Sequence, residues 1–234
     1  MSFSRKPRPT FAVEYNLWTA GYRAIAGADE VGVGAVAGPL VAAAVLLPLP
    51  EESADVGESL RTLAEVWWEV RDSKDIADNK KMRLDALIRK SAVVGIGVVE
   101  VAESDILTNQ DNATRVATER ALDALPRPAE AVLIDGGVQL PKRDLSYRRV
   151  MKENGATTSL MISAASIVAN MHFNKIMCDY GQQYPDYGFA QHKGYLTPQH
   201  QKALLDHGTC SIHRPPNKDV LRILAQRDSP CGRD

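Results

Sequence analysis

The sequence predicts an α/β fold, and three observations carry that prediction. Short runs rich in Val, Ile, Leu and Ala recur at 24–31, 36–47, 92–101 and 131–136, which is the composition of buried strands. Longer segments of mixed polar and apolar residues separate them and end at helix-cap or turn residues. The chain has 234 residues, enough for one large domain, or for one domain and a small terminal lobe.

In chain order, Met1 to Phe11 is a mobile arm and Ala12 to Tyr22 a short helix. Ala24 to Val31 and Val36 to Leu47 are consecutive strands that form a hairpin around a glycine stretch. Pro48 to Glu52 is a loop. Gly57 to Val70 is a helix in which Trp67 and Trp68 are packing residues, and Asn79 to Lys90 is a second helix. Ala92 to Val101 is a third strand; Ser104 to Asn109 and Asn112 to Leu125 are helices. Ala131 to Gly136 is a short buried strand that ends in an acid and two glycines, and Tyr147 to Met151 is another strand. A long helix follows over Ser159 to Gly181. Thr197 and Pro198 open one more helix, and Pro215 to Asp234 is a helix and then a loose tail.

Composition narrows the function classes. Hydrophobic residues at 44% and charged residues at 24% suit a soluble globular protein. The longest apolar runs are far too short for a membrane span, so no membrane partner is expected. The start is basic and has no apolar core behind it, unlike a secretory signal. Cys178, Cys210 and Cys231 are widely spaced and form no Cys-x-x-Cys pair, so a reducing, cytoplasmic setting is expected. The stretch from Leu140 onward is net positive and the part before it net negative. Chance asymmetry and an enzyme that holds phosphates beside carboxylates both account for that distribution.

The stretch from Ala26 to Pro39 is the centre of the chain. Asp29 and Glu30 end an apolar run, and Gly32, Gly34 and Gly38 follow. Acids in a buried run are costly unless something pairs with them. A divalent cation between carboxylates is one solution, and hard oxygen ligands suit Mg²⁺ or Mn²⁺. A solvated turn before glycines is another reading, and glycines that only admit close backbone packing are a third. The spacing Gly32-x-Gly34-x-x-x-Gly38 imitates a dinucleotide fingerprint, but Pro39 and its β-branched neighbours argue for strand where that motif needs a helix. Successive strand residues face opposite ways, so Asp29 and Glu30 look the same way only if the strand ends or bulges between them. Asp135, after four apolar residues at a strand end, is a second candidate acid; capping of the next turn is its structural alternative.

Gly27-x-Asp29-Glu30-x-Gly32-x-Gly34-x-x-Ala37-Gly38-Pro39-x-x-Ala42-Ala43-Ala44-Val45 resembles the opening motif of ribonuclease HII, the type 2 ribonuclease H family. Further motifs follow in the family order: Asp72-Ser73-Lys74, Asn109 to Thr114, Leu133-Ile134-Asp135-Gly136 and Ala164-Ala165-Ser166-Ile167. Tyr184 to Thr197, with His192-Lys193-Gly194-Tyr195, and Gly208 to Arg214 complete the set. The resemblance runs from about Ala26 to Arg214, and its motifs are specific only together.

The resemblance implies a ribonuclease H-like mixed sheet with flanking helices and a helical C-terminal lobe. It divides the chain into an arm and short helix (1–22), a catalytic domain (23–182) and a helical C-terminal segment (183–234). It implies an endonuclease that cuts the RNA strand of RNA–DNA hybrids, and 5′ of ribonucleotides embedded in duplex DNA, with two Mg²⁺ or Mn²⁺ ions, acting as a monomer. Asp29, Glu30 and Asp135 become metal ligands and catalytic residues. Gly32, Val33, Gly34, Ser73, Lys74, Asn109, Asn112, His192, Lys193 and Tyr195 become nucleic-acid contacts, with Gly32 and Gly34 reading the 2′-hydroxyl and Tyr195 stacking on the next sugar. Core packing is the alternative role for Tyr195, and helix capping for the amides and for Ser73.

Three departures stand out. Val33 occupies the family's Arg position, and Asn112 its Gln position. A fourth acid belongs in a Lys-Gly-Asp motif. With Lys152 aligned, Asn154 stands there beside Glu153, whereas a gapless count back from Ser166-Ile167 places Ala156 there. A nucleic-acid-binding homologue with weak or no cleavage is the alternative that these departures favour.

Overall fold

A computed structural model describes residues 8–47, 56–103, 109–135, 148–152 and 158–228. Expectations for the first seven residues, for the loop at 48–52, for the helix over 104–108 and for the last six residues lie outside that set, as do Glu153 and Asn154.

Five strands form one sheet: β1 (Ile25–Val31), β2 (Leu40–Leu46), β3 (Val93–Val99), β4 (Ala131–Asp135) and β5 (Arg148–Lys152). Their order is β3-β2-β1-β4-β5. β1 pairs antiparallel with β2, and β2 with β3, whereas β1–β4 and β4–β5 are parallel. The sheet is therefore mixed, with the acid-bearing β1 at its centre. A central strand of small and apolar residues buried on both faces needs a helix on each side.

The helices supply that cover. Gln110–Asp123 (α4) buries Ala113, Ala117 and Ala121 against Ala26, Ala28, Ala42 and Ala44. The other face takes Leu160–Gln183 (α5) and Asp78–Ser91 (α3), with Ala43, Val45, Leu84, Ile88, Ala164 and Val168 in one cluster. Ala12–Thr19 (α1) and Val56–Val66 (α2) lie at the start of this layer. After α5 the chain turns through Phe189–His192 (α6), Pro198–His207 (α7) and Lys218–Arg227 (α8).

The start of α5 is held by a group that pattern reading does not single out. Glu14 of α1 is fully buried, and its Oε1 accepts from the Ser159 hydroxyl at 2.5 Å and the Met161 amide at 3.2 Å. A carboxylate at a helix N-terminus meets orphan amides and the positive end of the helix dipole. Trp67 packs against Phe11, but Trp68 is 58% exposed beneath the Arg8 guanidinium. The expectation that both tryptophans pack inward is thus wrong for Trp68: neighbouring positions at the end of α2 cannot share one face. Residues 36–39, expected as strand, lie before β2, and Ala37 alone bridges to His213.

Candidate active site

Asp29 is placed by the pleat of β1 and by one close approach. Gly27, two residues earlier on the same face, lies under α5, where a Cβ would stand 2.6 Å from the Ile162 nitrogen. Only glycine lets the helix settle there. One turn along α5, Ser166 then meets Asp29, and its hydroxyl donates to the Asp29 carboxylate. Ser166 Oγ also lies 2.9 Å from Ser73 Oγ, and the Ser73 amide donates to it at 3.4 Å.

β1 and β4 run in parallel with Ala28 opposite Ile134, so Asp29 and Asp135, one residue beyond that last pair, come next to each other where β4 ends. Burial pushes the Asp29 carboxyl well above the usual carboxylate range, and the charges of Glu30 and Asp135 push it the same way. β1 continues through Val31, so the pleat sends Glu30 to the opposite face from Asp29. Burial raises the Glu30 carboxyl too; its own backbone amide and the Lys74 ammonium oppose that, while Asp135 adds to it. Glu30 Oε2 is buried and accepts no hydrogen bond.

Among the described residues no three His, Cys, Asp or Glu side chains converge on a finished metal cage. A hard divalent cation does not need one: Mg²⁺ commonly keeps several waters and takes one or two carboxylates together with substrate phosphate. Crowded, half-buried carboxylates and an acceptor without a donor fit such a cation.

The glycine turn beside the acids is held from the far end of the chain. Gly32 has φ +89°, and its Cβ position would meet Phe173 and Pro39 O at 3.0 Å, so an L side chain is excluded twice over. Arg214 is buried and donates to three carbonyls: Nε to Gly38 at 2.8 Å, Nη2 to Pro39 at 2.5 Å and Nη1 to Val33 at 3.4 Å. Burial lowers its guanidinium to about 10, against the pull of Tyr195. Val36 N–H donates to Gly194 O at 2.9 Å, and Gly38 N–H to Ile212 O at 2.8 Å. Tyr195 lies 38% exposed, with its ring edge-on to Phe173 and within van der Waals reach of Gly34. Arg214→Lys is expected to lower stability by about 2 kcal/mol, because one ammonium cannot span three buried carbonyls. Equilibrium urea unfolding checks this; a loss below about 0.5 kcal/mol would mean that the carbonyls find other donors.

The family model for ribonuclease HII matches residues 26–220. The chain belongs to the ribonuclease HII family. Ribonuclease HII of Geotalea daltonii is 40% identical over 195 residues, covering 83% of this chain and 82% of that protein. That of Syntrophotalea carbinolica is 38% identical over 216 residues, 90% of this chain and 93% of its own. In fold, the chain is similar to the ribonuclease H2 of Pyrococcus horikoshii OT3, with a TM-score of 0.71 at 20% identity over 87% of this chain and 98% of that one. Family membership makes the chain a metal-dependent endonuclease of the ribonuclease H type, a hydrolase that acts on RNA–DNA hybrids. Among the described residues no helix is long and apolar enough to cross a membrane.

The remaining residues expected at a ribonuclease HII site divide by where their polar atoms go. Lys74 is exposed and within electrostatic reach of Glu30. Ser73 is buried, with its hydroxyl turned in towards Ser166. Asn109 is the N-cap of α4, its Oδ1 accepting from the Asn112 amide at 3.1 Å, and Asn112 Oδ1 accepts from Arg115 at 2.8 Å. Lys193 has φ +53°, and its ammonium rests on Cys178 Sγ at 3.2 Å. His192 is buried, and both its ring nitrogens bond backbone groups; it supports the Tyr195 turn, where direct contact with nucleic acid was expected. Sequence reading gives no role to Ser166, His200 or Arg214, whose partners lie far away in the chain.

His200 and His213 stand next to this turn, and burial lowers both to about 4. Above pH ~6.5, both are neutral whether the chain is folded or not. Between there and about pH 4 the unfolded chain binds protons that the native rings refuse, so stability falls as pH falls, by about 1.4 kcal/mol per pH unit for each histidine. Burial lowers His192 as well. Urea unfolding from pH 7 to 4.5 is expected to show this decline; a flat profile would contradict the buried neutral rings.

Proposed function

We propose that this chain cuts the RNA strand of RNA–DNA hybrids, and cuts 5′ of a ribonucleotide embedded in duplex DNA, leaving a 5′-phosphate and a 3′-hydroxyl. The observation that carries the reading is the adjacency of Asp29 and Asp135, just beyond the last β1–β4 pair, to a turn on which exposed Tyr195 leans over Gly34. Asp29, Glu30 and Asp135 would hold two Mg²⁺ or Mn²⁺ ions, which when bound supply the positive charge that activates water and stabilises the leaving oxygen.

The protein's own groups do the rest. Ser166 holds the Asp29 carboxylate in one orientation by donating to it. Lys74, exposed near Glu30, offers a charge-assisted contact to a backbone phosphate. The backbone of Gly32 to Gly34 has no side chain to keep a ribose away and meets its 2′-hydroxyl, the group that distinguishes RNA from DNA. Val33 packs its side chain against the core and gives its carbonyl to Arg214, so phosphate affinity at this turn comes from other groups. Tyr195 stacks on the neighbouring sugar.

Incubation with Mn²⁺ and a duplex that contains one ribonucleotide tests the reading. A 5′-phosphate product at the ribonucleotide is expected, and an uncut duplex with folded protein would overturn it. Tyr195→Ala is expected to lower that cleavage about tenfold or more, from about 1–3 kcal/mol of lost stacking, with little change in melting temperature because the ring is already partly in water. Normal cleavage with a large drop in melting temperature would make Tyr195 a packing residue.

A further inference from the structure

His192 of α6, His200 of α7 and His213 of the 210–214 turn meet behind the Tyr195 turn. The His192 and His200 rings stack at 4.3 Å, 14° from parallel. His200 Nε2 lies 3.0 Å from His213 Nε2. Every ring nitrogen of the three has a partner, and the partners determine where the protons are.

The assignment follows from which groups can only accept or only donate. His200 Nδ1 lies 3.1 Å from the Tyr195 carbonyl, so Nδ1 carries the proton and Nε2 of the neutral ring is bare. His213 Nε2 must then donate to it. That leaves His213 Nδ1 bare, and it accepts the Cys210 amide at 2.9 Å. His192 Nε2 donates to Tyr187 O at 2.7 Å, and its Nδ1 accepts the Gly194 amide at 3.2 Å. All three rings are satisfied without a net charge. An extra proton on His200 Nε2 would face the His213 N–H, and one on His213 Nδ1 would displace the shorter Cys210 N–H contact at 2.9 Å for the Cys210 carbonyl at 3.3 Å.

The titratable and charged groups around the rings are Tyr187 and His207 on one side, Tyr195 on another, and Cys210 and Arg214 flanking His213. Among the described residues, none of the side chains acting electrostatically on His200 or His213 is a carboxylate. The Tyr195, Gly194 and Cys210 backbone groups favour a charge on them, and burial outweighs that pull. The chain of rings ends on the Tyr195 carbonyl and on the 210–214 turn. That turn in turn grips the glycine stretch through the Ala37–His213 bridge and Arg214.

We propose that His200 is a positioning residue for ribonucleotide recognition: through a neutral imidazole chain of fixed tautomers it locks the Tyr195 turn to the segment that holds Gly32 to Gly38. This rests on the reading of Tyr195 as the sugar-stacking residue. His200 touches no substrate and acts only through the Tyr195 backbone.

Two measurements test it. In the full chain with ¹⁵N-labelled histidine, the imidazole spectrum at pH 7 to 5.5 is expected to show Nδ1–H for His200, Nε2–H for His192 and His213, and no protonation. The opposite tautomer at His200, or a charged ring in that range, overturns the chain. The second measurement is the ratio of dissociation constants for an all-DNA duplex and a duplex with one ribonucleotide, for His200→Leu, Tyr195→Ala and the double variant. His200→Leu is expected to lose about tenfold of that ratio, with no further loss on adding Tyr195→Ala. His200→Asn, whose amide can still donate to the Tyr195 carbonyl, is expected to recover most of it and stands in if His200→Leu does not fold. Losses that multiply in the double variant, or a full ratio in folded His200→Leu, overturn the positioning role. An unchanged ratio in Tyr195→Ala alone refutes the reading of Tyr195 and the positioning role with it; the spectrum then still decides the tautomer chain.

Discussion

Asp29→Asn is expected to abolish metal-dependent cleavage, a loss of at least about a thousandfold, or about 4 kcal/mol of transition-state stabilisation, while leaving the metal-free fold as stable or more so. The two effects have one cause. The Asp29 carboxylate is half-buried beside Glu30 and Asp135, and desolvation and both neighbouring charges disfavour its charge. An amide of the same shape removes that repulsion and can still accept from Ser166. It also removes the anion that draws a cation to the strand ends. The measurement is paired: melting temperature without metal, and cleavage of a hybrid duplex with Mg²⁺ or Mn²⁺. Cleavage at the unsubstituted rate would remove Asp29 from the site. A large drop in melting temperature would mean that its charge is compensated by a group other than a bound cation.

Gly27→Ala is expected to cost about 3 kcal/mol, the upper range for overpacking, because the added methyl meets backbone and not a side chain that can turn away. The Cβ would lie 2.6 Å from the Ile162 nitrogen, near the start of a 24-residue helix. α5 must move off the sheet, and Ser166 moves with it. Folded Gly27→Ala protein is therefore expected to lose cleavage as well, although Gly27 touches no substrate. Denaturant unfolding gives the first effect, and cleavage per folded molecule the second. A stable, fully active variant would show that α5 tolerates the displacement and that the Asp29–Ser166 contact is dispensable.

Local patterns made much of this molecule readable. The apolar runs around Gly32 to Pro39 gave a hairpin, and Asp135 after Val132-Leu133-Ile134 marked a strand end. α3 and the long helix α5 emerged with their first residues nearly in place. The sheet order needed more than pattern, since β1 pairs with β4 across about a hundred residues. The acids were visible for a physical reason: a carboxylate that closes an apolar run is costly to bury and so stands out. Their orientation was only half visible. The pleat rule warned that Asp29 and Glu30 diverge, and β1 does run on without a break between them.

What could not be read depends on partners far away in sequence. Ser73 suggests a helix cap or a phosphate contact until Ser166 is placed beside it. Arg214 closes a family-like motif in the sequence with no role of its own, yet its donors find carbonyls some 175 residues earlier. Glu14 reads as a polar position on a short helix, but it is the buried acceptor at the start of α5. In each case the deciding interaction closes only in the folded chain. Single-sequence periodicity carries no trace of it.

The grip of Arg214 and His213 on the glycine stretch also sets an order of events during synthesis. Chains emerge from the ribosome N-terminus first, at about 5–20 residues per second. β1, its acids and the hairpin with β2 are all made long before residues 210–214. Until that last turn is released, the carbonyls of Val33, Gly38 and Pro39 lack their guanidinium, and Ala37 has no strand-like partner. A chain truncated before Cys210 thus carries its acids but lacks the contacts that hold the glycine turn.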